Sequence, residues 1–156
     1  ACGQGLTVVE APGVKVMNLD PGLLEKISPQ VDSDGNLLVP VAATVPAYLM
    51  GSGIGALSTY SGDYDIMTAD PNAYREYGLE NLRFGDLVLL QDCDNSYGRG
   101  YLKGAVSVGV VVHSDCIIAG HGPGVTTLFT SKSGKIKGEP AKEANIAHYL
   151  GVRDLK

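Results

Sequence analysis

The chain lacks several features, and each absence closes off a class of function. No apolar run reaches the length of about 18 residues that a helix needs to cross a bilayer, so the sequence predicts no membrane partner. Lys and Arg do not cluster, and the formal net charge is -5. Because phosphate contacts dominate nucleic-acid affinity, this balance argues against nucleic acid as a partner and fits a small-molecule ligand or a metal better. Cysteine is scarce: Cys2, Cys93 and Cys116 are an odd number with no signal-peptide pattern ahead of them, which is no disulfide framework. Free thiols in a reducing cytoplasm are the expectation. Cys93 and Cys116 are flanked by carboxylates that raise a thiol pKa, so neither reads as a nucleophile.

What is present is a 156-residue chain, 44% hydrophobic and 19% charged, large enough to bury its own core as one domain. Its 21 glycines are about twice the usual share and gather at 51–62, 98–109 and 120–124 without a short repeat. Clustered glycine signals tight turns and close backbone approach.

The periodicity reads mainly as strands. LTVVE (6–10) and VKVMNL (14–19) look like a hairpin turning at Ala11-Pro12-Gly13. Asp20-Pro21 opens a short helix to about Lys26. LLVPVAATV (37–45) reads as a strand whose Pro40 marks an edge or bulge, and a long glycine-rich loop follows to Asp70. Asp70-Pro71 caps the clearest helix, which Gly78 terminates. DLVLLQD (86–92), GAVSVGVVVHS (104–114), CIIAG (116–120), VTTLFTS (125–131) and KIKGE (135–139) read as strands, and 144–150 as a last short helix. Short connections predict an α+β fold: a mainly antiparallel, barrel-like sheet with a few short helices.

Two polar segments stand out for chemistry. HSDCIIAGHGPGVTT (113–127) places His113, Asp115, Cys116 and His121 within nine residues, and DCDNSYGRG (92–100) lies upstream. Asp92 and Asp94 alternate and so share a side of extended chain. If a hairpin brings the segments together, Asp92, Asp94, His113 and His121 form a ligand set, with zinc, manganese or calcium as the candidate divalent cation. Asp115 or Asp65 would be general base or would hold a histidine, and Asp63 with Asp65 adds acidic character. The run Gly51-Ser52-Gly53-Ile54-Gly55 lacks the third spacing of a dinucleotide fingerprint. Bare amides at Gly53, Gly55, Gly122 and Gly124 remain candidates for gripping a carboxylate or oxyanion.

The strings GQGL (3–6), VKVMNLDP (14–21), VPAYLMGSGIG (45–55), SGDYDIMT (61–68), LRFGDLVLLQDCDNSYGRG (82–100) and GVVVHSDCIIAGHGPGVTTLFTSKSGKI (109–136) carry a family resemblance. Together they resemble the carboxy-terminal half of an uncharacterised prokaryotic family, domain of unknown function 4438. The resemblance covers nearly the whole chain and implies no activity. It implies that 1–156 is a single domain, the carboxy-terminal half of a longer two-part protein, with the missing amino-terminal half as a partner. The order Gly-Asp-x-Asp (62–65), Gly-Asp (85–86), then an acidic turn (92–100), is similar to that of the acetamidase and formamidase family of metal-associated amide hydrolases. There, however, the turn tends to read Gly-Asp-Gly-Glu. The expectations are thus a metal-dependent hydrolase of a small amide or related C–N bond, or a non-catalytic ligand-binding and assembly domain. The second predicts a homo-oligomer.

Overall fold

The structure is a computed structural model and describes residues 6–116 and 118–154. The chain opens with the hairpin β1 (Leu6–Val8) and β2 (Ala11–Val16), then helix α1 (Pro21–Ile27), β3 (Gln30–Val31), β4 (Leu37–Val41) and β5 (Ala43–Val45). A two-residue strand, β6 (Tyr64–Asp65), precedes helix α2 (Pro71–Glu76) and the long hairpin of β7 (Leu87–Asp94) and β8 (Gly100–His113). Strands β9 (Gly124–Ser131) and β10 (Ile136–Pro140) and helix α3 (Ile146–Tyr149) complete it.

The α+β expectation holds, and its helices begin where the caps predict. The Asp20 carboxylate accepts from the Gly22 N–H at 2.8 Å ahead of α1, and the Asp70 carboxylate accepts from the Asn72 and Ala73 N–H groups ahead of α2. The sheet, however, is not a barrel. Its strands run in the order β1-β2-β9-β8-β7-β5, with β6 paired to β9, and a second sheet has the order β10-β4-β3. The single strand expected over 37–45 is two, because the chain leaves the small sheet after Val41 and joins the edge of the large one at Ala43. That hand-over leaves β1 and β5 at opposite ends of an open sheet. It also creates the parallel pairs, β5 with β7 and β4 with β10, in an otherwise antiparallel structure.

Other boundaries move as well. The first hairpin turns at Val9-Glu10, and Ala11-Pro12-Gly13 begins β2. Asp92 to Asp94 lie inside β7, and β8 starts at Gly100, so the turn is Asn95 to Arg99. The strand expected over CIIAG does not form: among its described residues, 118–120 bend and turn, and Ile117 lies outside the described residues. Cys2 also lies outside them. Cys93 is buried, and its thiol is pushed up to about 11 by burial first and by Asp92 second, in keeping with an inert thiol.

The large sheet is covered on both faces, so its central strands are apolar without a break. Leu87, Leu89, Val108, Val110, Leu128 and Phe129 pack with α1 and the small sheet. On the other face Val88, Leu90, Val111 and Val125 pack with Leu49, Tyr64, Ile66 and Leu79. This second core is the floor of the candidate site. Truncating Phe129, fully buried in the first core, to alanine is expected to cost about 3–5 kcal/mol by denaturant titration, whereas Leu57→Ala at the exposed surface stays within about 0.5 kcal/mol.

Candidate metal centre

Three strands bring the polar groups together. The last residue of β8, His113, is paired with the first residue of β9, Gly124, and Gly124 is also paired with Asp65 of β6. Strand alternation then turns Tyr64 into the core and sends Asp63 and Asp65 to the opposite side, toward His113. Tyr64 is anchored from beneath: its hydroxyl accepts from Asn95 Nδ2 at 2.9 Å, and the same amide donates to Ser107 Oγ, itself 2.9 Å from Thr130 Oγ1. Burial pushes the Tyr64 phenol far up, so it stays neutral. From above, the glycine-rich loop is laced to β6: the Gly51 N–H donates to Asp65 O, the Asp65 N–H to Ser52 O and the Ser52 N–H to Gly120 O.

His113 Nε2 lies 2.6 Å from Asp63 Oδ2 and 3.2 Å from Asp65 Oδ1, and His121 Nδ1 lies 3.1 Å from Asp65 Oδ2. The other ring nitrogen of His113, Nδ1, is 2.8 Å from Ser114 O. A carbonyl only accepts, so Nδ1 carries the proton, and in the neutral ring Nε2 is a bare lone pair facing two carboxylates. Asp63 Oδ2, though so close to Nε2, is off its hydrogen-bonding direction and is buried without a hydrogen-bond partner. Three acceptors therefore converge on one point, which a shared proton or a cation would relieve. One atom from each of Asp63, Asp65 and His113 lies within 4.8 Å of the others, the spacing of ligands around a shared cation. A Cβ on Gly124 would run into Asp63 Oδ2 and His113 Nε2. Glycine is what leaves the point open.

The sequence-derived candidates divide. His113, His121 and Asp65 meet here. Asp63, read only as added acidic character, is the closest carboxylate to His113; its signal was the Asp-x-Asp spacing. Asp92 and Asp94 do not join them. Asp94 pairs with Gly100, and His113 is thirteen positions further along β8, roughly 40 Å at strand rise. Their carboxylates are occupied locally: Asp92, on a left-handed bulge at φ 54°, accepts from the Gly104 N–H, and Asp94 accepts from the Ser96 N–H and hydroxyl. Asp115 accepts from the Cys116 N–H and from Thr68 Oγ1, and shares with His113 a cavity of about 430 Å³ that reaches Tyr74 and Phe84. Among the four glycines, Gly55 spends its amide on Arg99 O, a Cβ on Gly53 would meet Tyr64, and one on Gly122 would meet Ile66 O. Close packing around β6 accounts for Gly53, Gly122 and Gly124.

Residues 26–150 match the family model described as Domain of unknown function (DUF4438), C-terminal. A solved chain described as the crystal structure of TM1086 is 53% identical and superposes with a TM-score of 0.85. It covers 94% of this chain, and this chain spans 51% of it. No curated protein matches. The comparisons lend no support to the similarity in motif order with the acetamidase and formamidase family. Among the described residues, no helix is long and apolar enough to cross a membrane.

In the metal-free protein, the Ser114 carbonyl, followed by Asp63 and Asp65, raises the pKa of His113 above its ordinary value of 6.5. A raised folded-state pKa means that the stabilisation from His113 is fully present below the unfolded value and is lost as pH rises through the folded one. Unfolding free energy of the chelated protein is therefore expected to fall with pH just above 6.5, and His113→Gln to flatten that slope. Denaturant titrations across this range check it.

Proposed function

The chain belongs to the family described as Domain of unknown function (DUF4438), C-terminal, and within that family we propose that it holds a divalent cation on Asp63, Asp65 and His113 and hydrolyses a small amide or related C–N bond. The observation that carries the reading is the bare Nε2 of His113 aimed at two carboxylate oxygens across a gap kept open by Gly124. Ligand atoms about 2.0–2.2 Å from one cation stand roughly 3 Å apart, close to the 2.6 and 3.2 Å separations here. One imidazole with two carboxylates suits zinc or manganese better than calcium, which takes more oxygen ligands.

Bound there, the cation would supply a Lewis acid and a water of lowered pKa. The residues around it divide the remaining work. Ser114 O holds the His113 ring in the tautomer that leaves Nε2 free. His121, 3.1 Å from Asp65 Oδ2, orients that carboxylate and is placed to take a proton as water adds to the amide carbon. The departing amine needs a proton, and His121 would return to it the one taken from the water, while Asp115, a carboxylate that accepts two hydrogen bonds, lines the same cavity as His113. At about 430 Å³ that cavity fits a small substrate rather than a polymer.

One observation favours a second reading. The raised pKa of His113 fits an imidazolium bridging Asp63 and Asp65 in a non-catalytic binding or assembly domain. Metal titration separates the two. The hydrolase reading expects near-stoichiometric metal by elemental analysis and, after chelation, restoration by zinc or manganese with a gain of about 2.7 kcal/mol at a hundredfold excess over Kd. That gain corresponds to about 5–10 °C in Tm for a domain of this size. His113→Ala, Asp63→Asn and Gly124→Ala should each lower affinity by at least about tenfold. No metal in the purified protein and no shift with either ion would leave only the imidazolium reading.

A further inference from the structure

Three of the five most exposed large apolar side chains of the described chain share one place on the surface. Leu57 is 92% exposed, Tyr97 87% and Tyr101 64%, and all three line one groove of about 330 Å³ between the glycine-rich loop and the turn of the β7–β8 hairpin. Isolated exposed apolar residues need no explanation, but three grouped on one groove mark a surface meant to be covered.

The groove is also rigid. The Gly55 N–H donates to Arg99 O and the Arg99 N–H to Ala56 O, so the loop and the turn are joined like paired strands. Gly98 lets them approach, since a Cβ there would meet Ala56 O at 2.8 Å. The Arg99 side chain is 7% exposed, lies over the Tyr64 ring and donates to Ser61 O, fixing the loop from beneath. A preorganised apolar surface is what a partner of fixed shape requires.

Its position indicates the occupant. Tyr97 and Lys132 also border a second concavity whose far side is Thr7 of β1, with Lys15 between them over the Tyr97 ring. The groove is therefore continuous with the first described strand. The 53%-identical chain is about twice as long as this one, and the family model that matches is the carboxy-terminal one, so a preceding half would enter beside this groove.

We propose that the groove lined by Leu57, Tyr97 and Tyr101 seats the amino-terminal half of the longer chains of this family. The seated surface is apolar, with acidic groups at the edge that meets Lys15 and Lys132.

The test mixes this chain with the separately expressed amino-terminal half of the 53%-identical protein, first shown to be folded by circular dichroism and a cooperative melt, and measures binding by isothermal titration calorimetry. A 1:1 complex is expected. Leu57→Asp with Tyr97→Asp should weaken it at least about thirtyfold, as loss of two anchor side chains does, while Val152→Asp, exposed but off the groove, leaves it unchanged. Both mutated positions are on the surface, and an unchanged Tm confirms that the double variant is folded. Absence of binding, or equal binding by the double variant, overturns the proposal. So does light scattering that shows this chain alone as a dimer which the double variant dissociates, since the occupant is then a second copy.

Discussion

The meeting of three hydrogen-bond acceptors at one point organises the site. His113 donates from Nδ1 to Ser114 O, which leaves Nε2 as a lone pair against Asp63 and Asp65. Like-charged and lone-pair groups do not stay together in a folded protein without compensation. A proton on Nε2 or a cation between the three supplies it. Everything nearby serves that convergence: the register that sets His113 and Asp65 on either side of Gly124, the missing Cβ there, and the loop that clamps β6 from above. Displacing any one of these elements would let the carboxylates separate and relieve the repulsion at once.

The support beneath is polar as well as apolar. Asn95, fully buried, spends its amide on Tyr64 and Ser107, and Ser107 continues to Cys93 O and Thr130. Asn95 Oδ1 is buried without a hydrogen-bond partner, so the network carries a cost there, while the bonds that are made specify one position for its members. Tyr64 sits between the two aspartates, so fixing its hydroxyl fixes the pleat that aims both carboxylates. The distant hairpin turn thus acts on the centre through Asn95, whereas Asp92 and Asp94 at the end of β7 are engaged locally. The same turn, through Arg99 and Gly98, builds the exposed groove on its outer side.

Much of this was legible in the sequence and part of it was not, for identifiable reasons. Asp20 and Asp70 ahead of prolines marked both helix starts, because a cap is a local interaction. His113, His121 and Asp65 were legible as site residues because their chemistry is unusual beside apolar strands. The pairing of Asp92 and Asp94 with His113 failed on geometry that a hairpin imposes. Residues just before its turn lie next to residues just after it, so Asp94 meets Gly100 and the far end of β8 is as distant as the strand is long. β6 escaped notice because two residues carry no periodicity; only its partners on β9 and in the 51–52 loop make it a strand. Closure of the sheet depends on where the chain near Ala42 changes sheets, and nothing local in VPVAATV encodes that.

A divalent cation is proposed at the point between Asp63, Asp65 and His113. Crystals grown with zinc and measured above and below its absorption edge test it most directly. An anomalous peak is expected within about 2.0–2.2 Å of one oxygen from each aspartate and of His113 Nε2. A peak elsewhere only, or none with Nε2 hydrogen-bonded to a carboxylate, would contradict it.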